Sequence, residues 1–379
     1  MCRRATDHHH LGQRRVRRRD RPRHDGTSAV RRRRRRSRTG SKRPHRPGGP
    51  RQRPALRRGP LGPRRPLPLA QPRPQATLNR TLFQRSQLVT KFRVGLNPLP
   101  WVLTPAGFDL SVPILQGAFA EIATTPFRGI HADPPAGLDA AGYRALLTQH
   151  GLTPAPGYFS ADATAPPGEV AEAAKRHAAV QAELGNTEVF LATGLTPDRI
   201  AHPAIGYGDP HLPKVIDVIG ATAEAIKAEG VTPALHPHVG SPIEIEPEIR
   251  AVLDAVPSSI LSFGPDTGHL AWAGTTPATL MAEYAGRIAA VHLKDVHLDQ
   301  AQAAKDADAN YFDATVHKHT VWTEPGRGDV DLLAAVATLP DTFDGWLIVE
   351  VDVPEAETNL KSTQLSARWI TKHLGPDVF

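Results

Sequence analysis

Histidines and carboxylates crowd into four short stretches in the carboxy-terminal half of this chain. His236-Pro-His-Val-Gly-Ser-Pro-Ile-Glu244 carries two imidazoles and a carboxylate, and Gly264-Pro-Asp-Thr-Gly-His269 carries Asp266 and His269. Further on, His292-Leu-Lys-Asp295 and Glu350-Val-Asp352 each follow an apolar run. Imidazole nitrogens and carboxylate oxygens together form the donor set of a hard to borderline divalent cation. The set Glu244, Asp266, His292 and Glu350 offers three carboxylates and one imidazole, which points to Mn²⁺, Co²⁺ or Mg²⁺ before Zn²⁺. A cation so held polarises a carbonyl and stabilises the enediolate left when the adjacent carbon loses a proton. Glu244 and Glu350 are then candidate bases on opposite sides of a chelated substrate. Each residue also has an ordinary explanation: Asp266 before Thr-Gly could cap a turn, and Glu350 beside Asp352 could be a solvated edge. Four such coincidences on four successive runs favour a site.

The elements that must position these residues are legible as short apolar runs alternating with helical patterns. Eight strands are expected at 92–96, 127–131, 153–158, 188–192, 231–236, 260–263, 289–293 and 346–351. Helical patterns fall at 170–184, 212–229, 247–255, 277–284, 332–339 and 358–374. Continuous, β-branched strand runs alternating with helices read as a parallel sheet covered on its outside. Eight such units in roughly 290 residues favour an α/β fold closed into a (β/α)8 barrel, a TIM barrel, whose active site lies at the C-terminal ends of the strands. No Gly-x-Gly-x-x-Gly follows a strand, so a dinucleotide fold loses its main support. The four polar stretches sit at the ends of strands five to eight, where a barrel enzyme places its chemistry. The loops after the first three strands, with Asn97, Trp101, His131 and Tyr158, would shape the substrate.

The runs from His236 to Glu244 and from Asp266 to His269 are accompanied by Val291-His-Leu-Lys-Asp295, Pro325-Gly-Arg-Gly-Asp-Val-Asp331 and Val349-Glu-Val-Asp352. Together they resemble the xylose isomerase-like barrel superfamily, and within it the sugar phosphate isomerase/epimerase group that includes inosose dehydratase. Gly95-Leu-Asn-Pro-Leu-Pro-Trp101 is similar to the opening strand of that group. The resemblance spans roughly 92–374 and is strongest from His236 onward. It implies one divalent metal held by Glu244, Asp266, His292 and Glu350. Many superfamily members carry the first glutamate on strand five itself, where this chain has His236, so the first ligand is either Glu244 or His236. His269 matches a substrate-binding histidine of the epimerases, and His238 or His269 is a candidate general acid. The arginine that some epimerases carry six residues after the strand-seven histidine is replaced by Leu298. Lys294 is a candidate to hold a substrate oxyanion or to pair with Asp266, and Arg327 to bind a substrate anion or hydroxyl. The implied activity is a sugar isomerase or epimerase acting on a keto-sugar, sugar phosphate or cyclitol. The alternative is an inosose-type dehydratase that expels a β-hydroxyl from the same enediolate.

Charge divides the chain in two. Residues 1–80 hold 27 Lys+Arg against Asp7, Asp20 and Asp25, with no Glu, Ile, Tyr, Trp or Phe. Such a segment has too little apolar surface to offset its backbone entropy, so 1–85 is expected to be disordered. Its favoured reading is upstream sequence translated from a start set too early, with Val89 or Leu88 as a non-AUG start; a polyanion-binding arm or a transit peptide are the alternatives. The remainder, 86–379, is net acidic, which opposes binding to a phosphate backbone. A nucleic-acid enzyme of the kind that cuts at abasic sites, and a non-catalytic sugar-binding barrel, are therefore the lesser readings. The single cysteine, Cys2, excludes a structural disulfide or a cysteine-based zinc site. No signal core or apolar run of spanning length is present. The expected protein is cytoplasmic, bound to neither nucleic acid nor membrane, compatible with a homo-oligomer, and partnered by a small sugar or polyol.

Overall fold

The structure, a computed structural model, describes residues 92–104, 107–206 and 210–379. The expected basic segment 1–85 lies outside the described residues. Eight parallel strands form the barrel: β1 Arg93–Leu96, β2 Gly129–His131, β3 in two pieces (Thr153–Ala155 and Tyr158–Ala161), β4 Glu188–Thr193, β5 Thr232–Leu235, β6 Ser262–Phe263, β7 Ala290–Leu293 and β8 Trp346–Val349. Neighbours in sequence pair in register from β1 to β6, and β7 pairs with β8. The ring closes through β1 against β8, with Val94 opposite Leu347. Between β6 and β7 the ladder is reduced to the bridges Phe263–Ile288 and Asp266–His292, because Gly264-Pro265 interrupts the strand and proline donates no hydrogen bond.

Helices α1 Val112–Ile122, α2 Ala140–Thr148, α3 Pro167–Glu183, α4 Leu212–Ala228, α5 Glu246–Ala255, α6 Pro277–Glu283 and α7 Leu332–Val336 connect the strands, and α8 Asn359–His373 follows β8. In α4 the buried residues Val215, Val218, Ile219, Thr222, Ala223 and Ile226 recur at three- and four-residue spacing, so one face packs on the barrel wall. Sequence periodicity missed α1 and α2, whose apolar residues are interleaved with alanine and glycine.

Strand residues alternate between two apolar layers, as a period of two requires. Val94, Ile130, Leu191, Val291, Leu347 and Val349 face the helices. Ala155, Phe190, Ala290, Trp346 and Ile348, joined by Tyr158, fill the barrel itself. The interior is packed tightly around Trp346: a Cβ on Gly129 would lie 2.3 Å from its ring. β3 breaks at Pro156-Gly157, where Gly157 approaches Ala132 so closely that a Cβ would meet its carbonyl oxygen at 2.3 Å. The buried Gln181 bridges that break, donating to the Ala132 oxygen and accepting from Gly157 N–H. Among the described residues no helix is long and apolar enough to cross a membrane.

Candidate metal centre

Counting outward along the interior phase shows how the sequence builds the site. After Ala290 the next inward residue of β7 is His292; after Trp346 and Ile348 the next on β8 is Glu350. The same count places His236 just past β5, Asp266 just past β6, His131 at the end of β2 and Asn97 just past β1. The inward placement is visible in ring contacts: His292 lies 3.9 Å from Phe190, 4.6 Å from His236 and 5.4 Å from His131, centroid to centroid.

Donor atoms of Asp266, His292 and Glu350 all lie within 4.8 Å of one another, and so do those of His236, Asp266 and His269. His292 Nδ1 is 3.3 Å from Glu350 Oε2 and 3.7 Å from Asp266 Oδ2. Asp266 performs two tasks at once. Its Oδ1 accepts from His269 N–H at 2.8 Å and caps the short helix Thr267–Trp272, while Oδ2 is buried without a hydrogen bond. Both ring nitrogens of His292 and Nδ1 of His236 are likewise buried and unbonded. Buried polar atoms are normally paired, so the unpaired Asp266 oxygen, with an unpaired nitrogen of His292 and of His236 in the two groups that share Asp266, fits a divalent ion. Asp266, His292, Glu350 and His236 are the residues that could hold it.

Electrostatics suit that role. Burial pushes His236 well below its ordinary pKa, with His292 and His238 adding to the effect. Burial also lowers His238, to about 4, and His269, where His238 and Lys294 contribute. His236, His238 and His269 are therefore held neutral, and His236, with Nδ1 unbonded, is in the form that ligates metals. Burial acts to raise Glu350, but Lys294 and His292 hold its carboxyl well below the usual range. Lys294 is fully buried; its Nζ lies 2.7 Å from Glu350 Oε1, 2.6 Å from Asp352 Oδ1, 3.3 Å from His269 Nε2 and 3.9 Å from Asp266 Oδ2. Burial opposes its charge, yet Asp352, Glu350 and Asp266 keep it well above the ordinary lysine value. Asn97 Nδ2 donates to Glu350 Oε2 at 2.5 Å and fixes the carboxylate from the β1 side.

Two expected site residues stand elsewhere. Glu244 is buried but turned away from the cluster: Oε1 accepts from Arg199 Nη1 at 2.7 Å, and Oε2 from Gly240 N–H at 2.9 Å and Ala204 N–H at 3.1 Å. Arg199 also donates to Glu248 Oε1 at 2.5 Å. Glu244 thus pins the loop after β4 to the turn after β5, and its oxygens are consumed by that task; His236 occupies the strand-five position instead. Arg327 is half-exposed on the rim, where it donates to Glu355 Oε1 at 2.9 Å and approaches Glu324 Oε2 at 3.4 Å. Its turn is held by Asp295, which accepts from the N–H groups of Val296, Gly326, Gly328 and Val330. His238 and His269 do reach the centre, their rings 3.8 Å apart.

Sequence reasoning missed an aromatic wall. Trp322 lies 4.4 Å from Lys294 Nζ and 4.9 Å from the His269 ring. Trp272 meets Trp322 edge-on and stacks on Tyr311. Trp272 ends the short helix after β6, whereas Tyr311 and Trp322 lie in the connection between β7 and β8, so no spacing in the sequence links the three. Arg199 carried no signal either, as an isolated arginine on the short helix Pro197–Ala201.

Comparison with known proteins agrees with the barrel fold. The family model of the xylose isomerase-like TIM barrel matches residues 118–373. Inosose dehydratase of Geobacillus thermodenitrificans (strain NG80-2) is 25% identical over 289 residues, covering 73% of this chain and 95% of the relative. Among solved structures, a xylose isomerase-like TIM barrel protein from Mycobacterium smegmatis in complex with magnesium superposes with a TM-score of 0.58 at 16% identity, covering 76% of this chain and 98% of its own. D-allulose 3-epimerase from Methylomonas sp. in complex with D-allulose gives 0.54 at 16% identity, with 76% and 98% covered. The chain is an enzyme, and it belongs to the xylose isomerase-like TIM barrel family.

Proposed function

We propose that this enzyme is a metal-dependent dehydratase acting on an inosose-type cyclic polyhydroxy ketone. The observation that carries the choice is the position of Glu244. A two-base epimerase requires a second carboxylate across the substrate from Glu350. Here that carboxylate is locked to Arg199, and the facing wall is built from His236, His238 and His269. The full-length relative named inosose dehydratase supports the same reading.

A divalent ion bound by His236, Asp266, His292 and Glu350 would polarise the substrate carbonyl and stabilise the charge developing beside it. Glu350 is the ionised carboxylate placed to accept the proton from the carbon next to the carbonyl. Lys294, in contact with Glu350, Asp352 and His269, is the proton donor placed to protonate the departing β-hydroxyl, which leaves as water. Glu350 then returns the abstracted proton to Lys294 across their 2.7 Å contact, so each turnover restores both groups. His269 receives Val239 N–H on Nδ1 at 3.2 Å, and its Nε2 faces Lys294 Nζ at 3.3 Å, so the ring ties the turn after β5 to the proton donor. Two imidazoles beside two carboxylates are softer than the three-carboxylate set, which removes the argument against Zn²⁺.

The test is a screen of inososes, ketohexoses and ketohexose phosphates with added Mn²⁺, Co²⁺, Zn²⁺ or Mg²⁺ in deuterated water. An inosose that loses water supports the dehydratase. Deuterium uptake with no water loss would make the enzyme an epimerase or isomerase, and neither outcome with any substrate would sink both readings.

A further inference from the structure

One buried imidazole at the mouth of the barrel is used by neither the metal set nor the proton path. His131, the last inward residue of β2, is 1% exposed, and neither of its ring nitrogens has a hydrogen-bond partner. Its donor atoms belong to none of the groups that approach within metal-binding distance. The ring stacks on Phe190 at 6.0 Å and an interplanar angle of 11°, and lies 5.4 Å from His292 and 6.5 Å from Tyr158. Asp133 Oδ2 stands 3.4 Å from its Nδ1. A histidine buried for packing alone would have its nitrogens satisfied, since an unpaired polar atom in a dry interior is unfavourable. Asp133 favours the tautomer with hydrogen on Nδ1, which leaves the Nε2 lone pair as an acceptor.

We infer that His131, oriented by Asp133, accepts a hydrogen bond from one ring hydroxyl of the substrate on the β2 side of the centre, and so sets which cyclic polyol is taken. This rests on the dehydratase reading above. A site built to bond a hydroxyl discriminates strongly against an analogue lacking it, because the buried partner is then left unpaired. Phe190 and His292 hold the ring in place, so the selectivity belongs to one position on the substrate ring rather than to polarity in general.

The experiment compares an inosose with its set of mono-deoxy analogues on the metal-loaded full chain. It reads kcat/KM, apparent affinity from thermal-shift titration, and metal content by elemental analysis. In the wild type, one mono-deoxy analogue is expected to fall about 10–100-fold below the parent. His131→Phe, which keeps the stack on Phe190, should lose that same factor with the parent and nothing further with that analogue, at unchanged metal content. His131→Gln should recover part of the discrimination, and Asp133→Asn should reduce it. An unchanged parent-to-analogue ratio in His131→Phe, or in His131→Gln and Asp133→Asn should the first variant not fold, overturns the inference. So does a loss of metal on substitution. If the wild type neither binds nor dehydrates any inosose, the dehydratase reading itself has failed; if it does both and only the ratio stays fixed, the failure is confined to His131.

Discussion

Two residues separate what composition suggested from what geometry delivered. Asp266 is compatible with both of its sequence explanations, as one oxygen caps a helix and the other faces His292. Glu244 satisfies neither role given to it, because Arg199 and the backbone N–H groups of Gly240 and Ala204 occupy its oxygens. The two candidates for the first ligand therefore have opposite expected phenotypes. His236→Ala should weaken metal binding by roughly 10–100-fold or more, read by competition with a chelating dye. Glu244→Gln should leave metal stoichiometry intact and lower stability by about 3 kcal/mol in urea denaturation, as expected for breaking a buried ion pair. Metal loss in Glu244→Gln with stability unchanged would reinstate Glu244. Glu350→Gln should abolish turnover while only weakening metal binding; near-normal turnover would remove Glu350 from the chemistry.

At the scale of elements, the barrel positions its site through strand phase and through a few close contacts that fix that phase. His292 and Glu350 point inward because Ala290, Trp346 and Ile348 do, and the room for Trp346 exists because β2 begins with glycine. Gly129→Ala should cost about 1–3 kcal/mol by overpacking against the Trp346 ring, visible as a lower urea midpoint. A midpoint equal to the wild type's would mean that the interior yields more easily than its packing indicates. The loop after β4 is fastened by Arg199 between Glu244 and Glu248, a pairing of two strand-end loops that secondary-structure patterns do not encode.

For the whole molecule, metal should act as a ligand of the native state alone. Saturation at about 100 times its dissociation constant adds about 2.7 kcal/mol of stability. Removing metal with a chelator should therefore lower Tm by several degrees, with recovery when the ion is returned. An unchanged Tm would argue that the unpaired atoms of Asp266, His292 and His236 serve something else. Deleting residues 1–85 should leave turnover of the inosose unchanged, since every residue of the site lies at or beyond Asn97 in the chain. Loss of activity on deletion would give the basic segment a role that the barrel does not explain.

By itself, the sequence determined the eight strands, six of the eight main helices, the barrel class and the polar strand ends. Those features are local: apolar runs of strand length, helical periodicity, and the polar residues that end each run. Asp266, His292 and Glu350 were legible as candidates, because each lies within three residues of a strand end whose direction the fold dictates, and the structure brings them together. The fate of Glu244 was decided only by the tertiary structure. Eight residues beyond His236, its direction depends on a loop whose path is set by Arg199, 45 residues earlier in the chain. The same holds for Lys294 among three carboxylates, for the Trp272–Trp322–Tyr311 wall, and for His131 left unpaired beside Asp133. Each depends on distances between segments that the sequence keeps far apart, and packing alone fixes those distances.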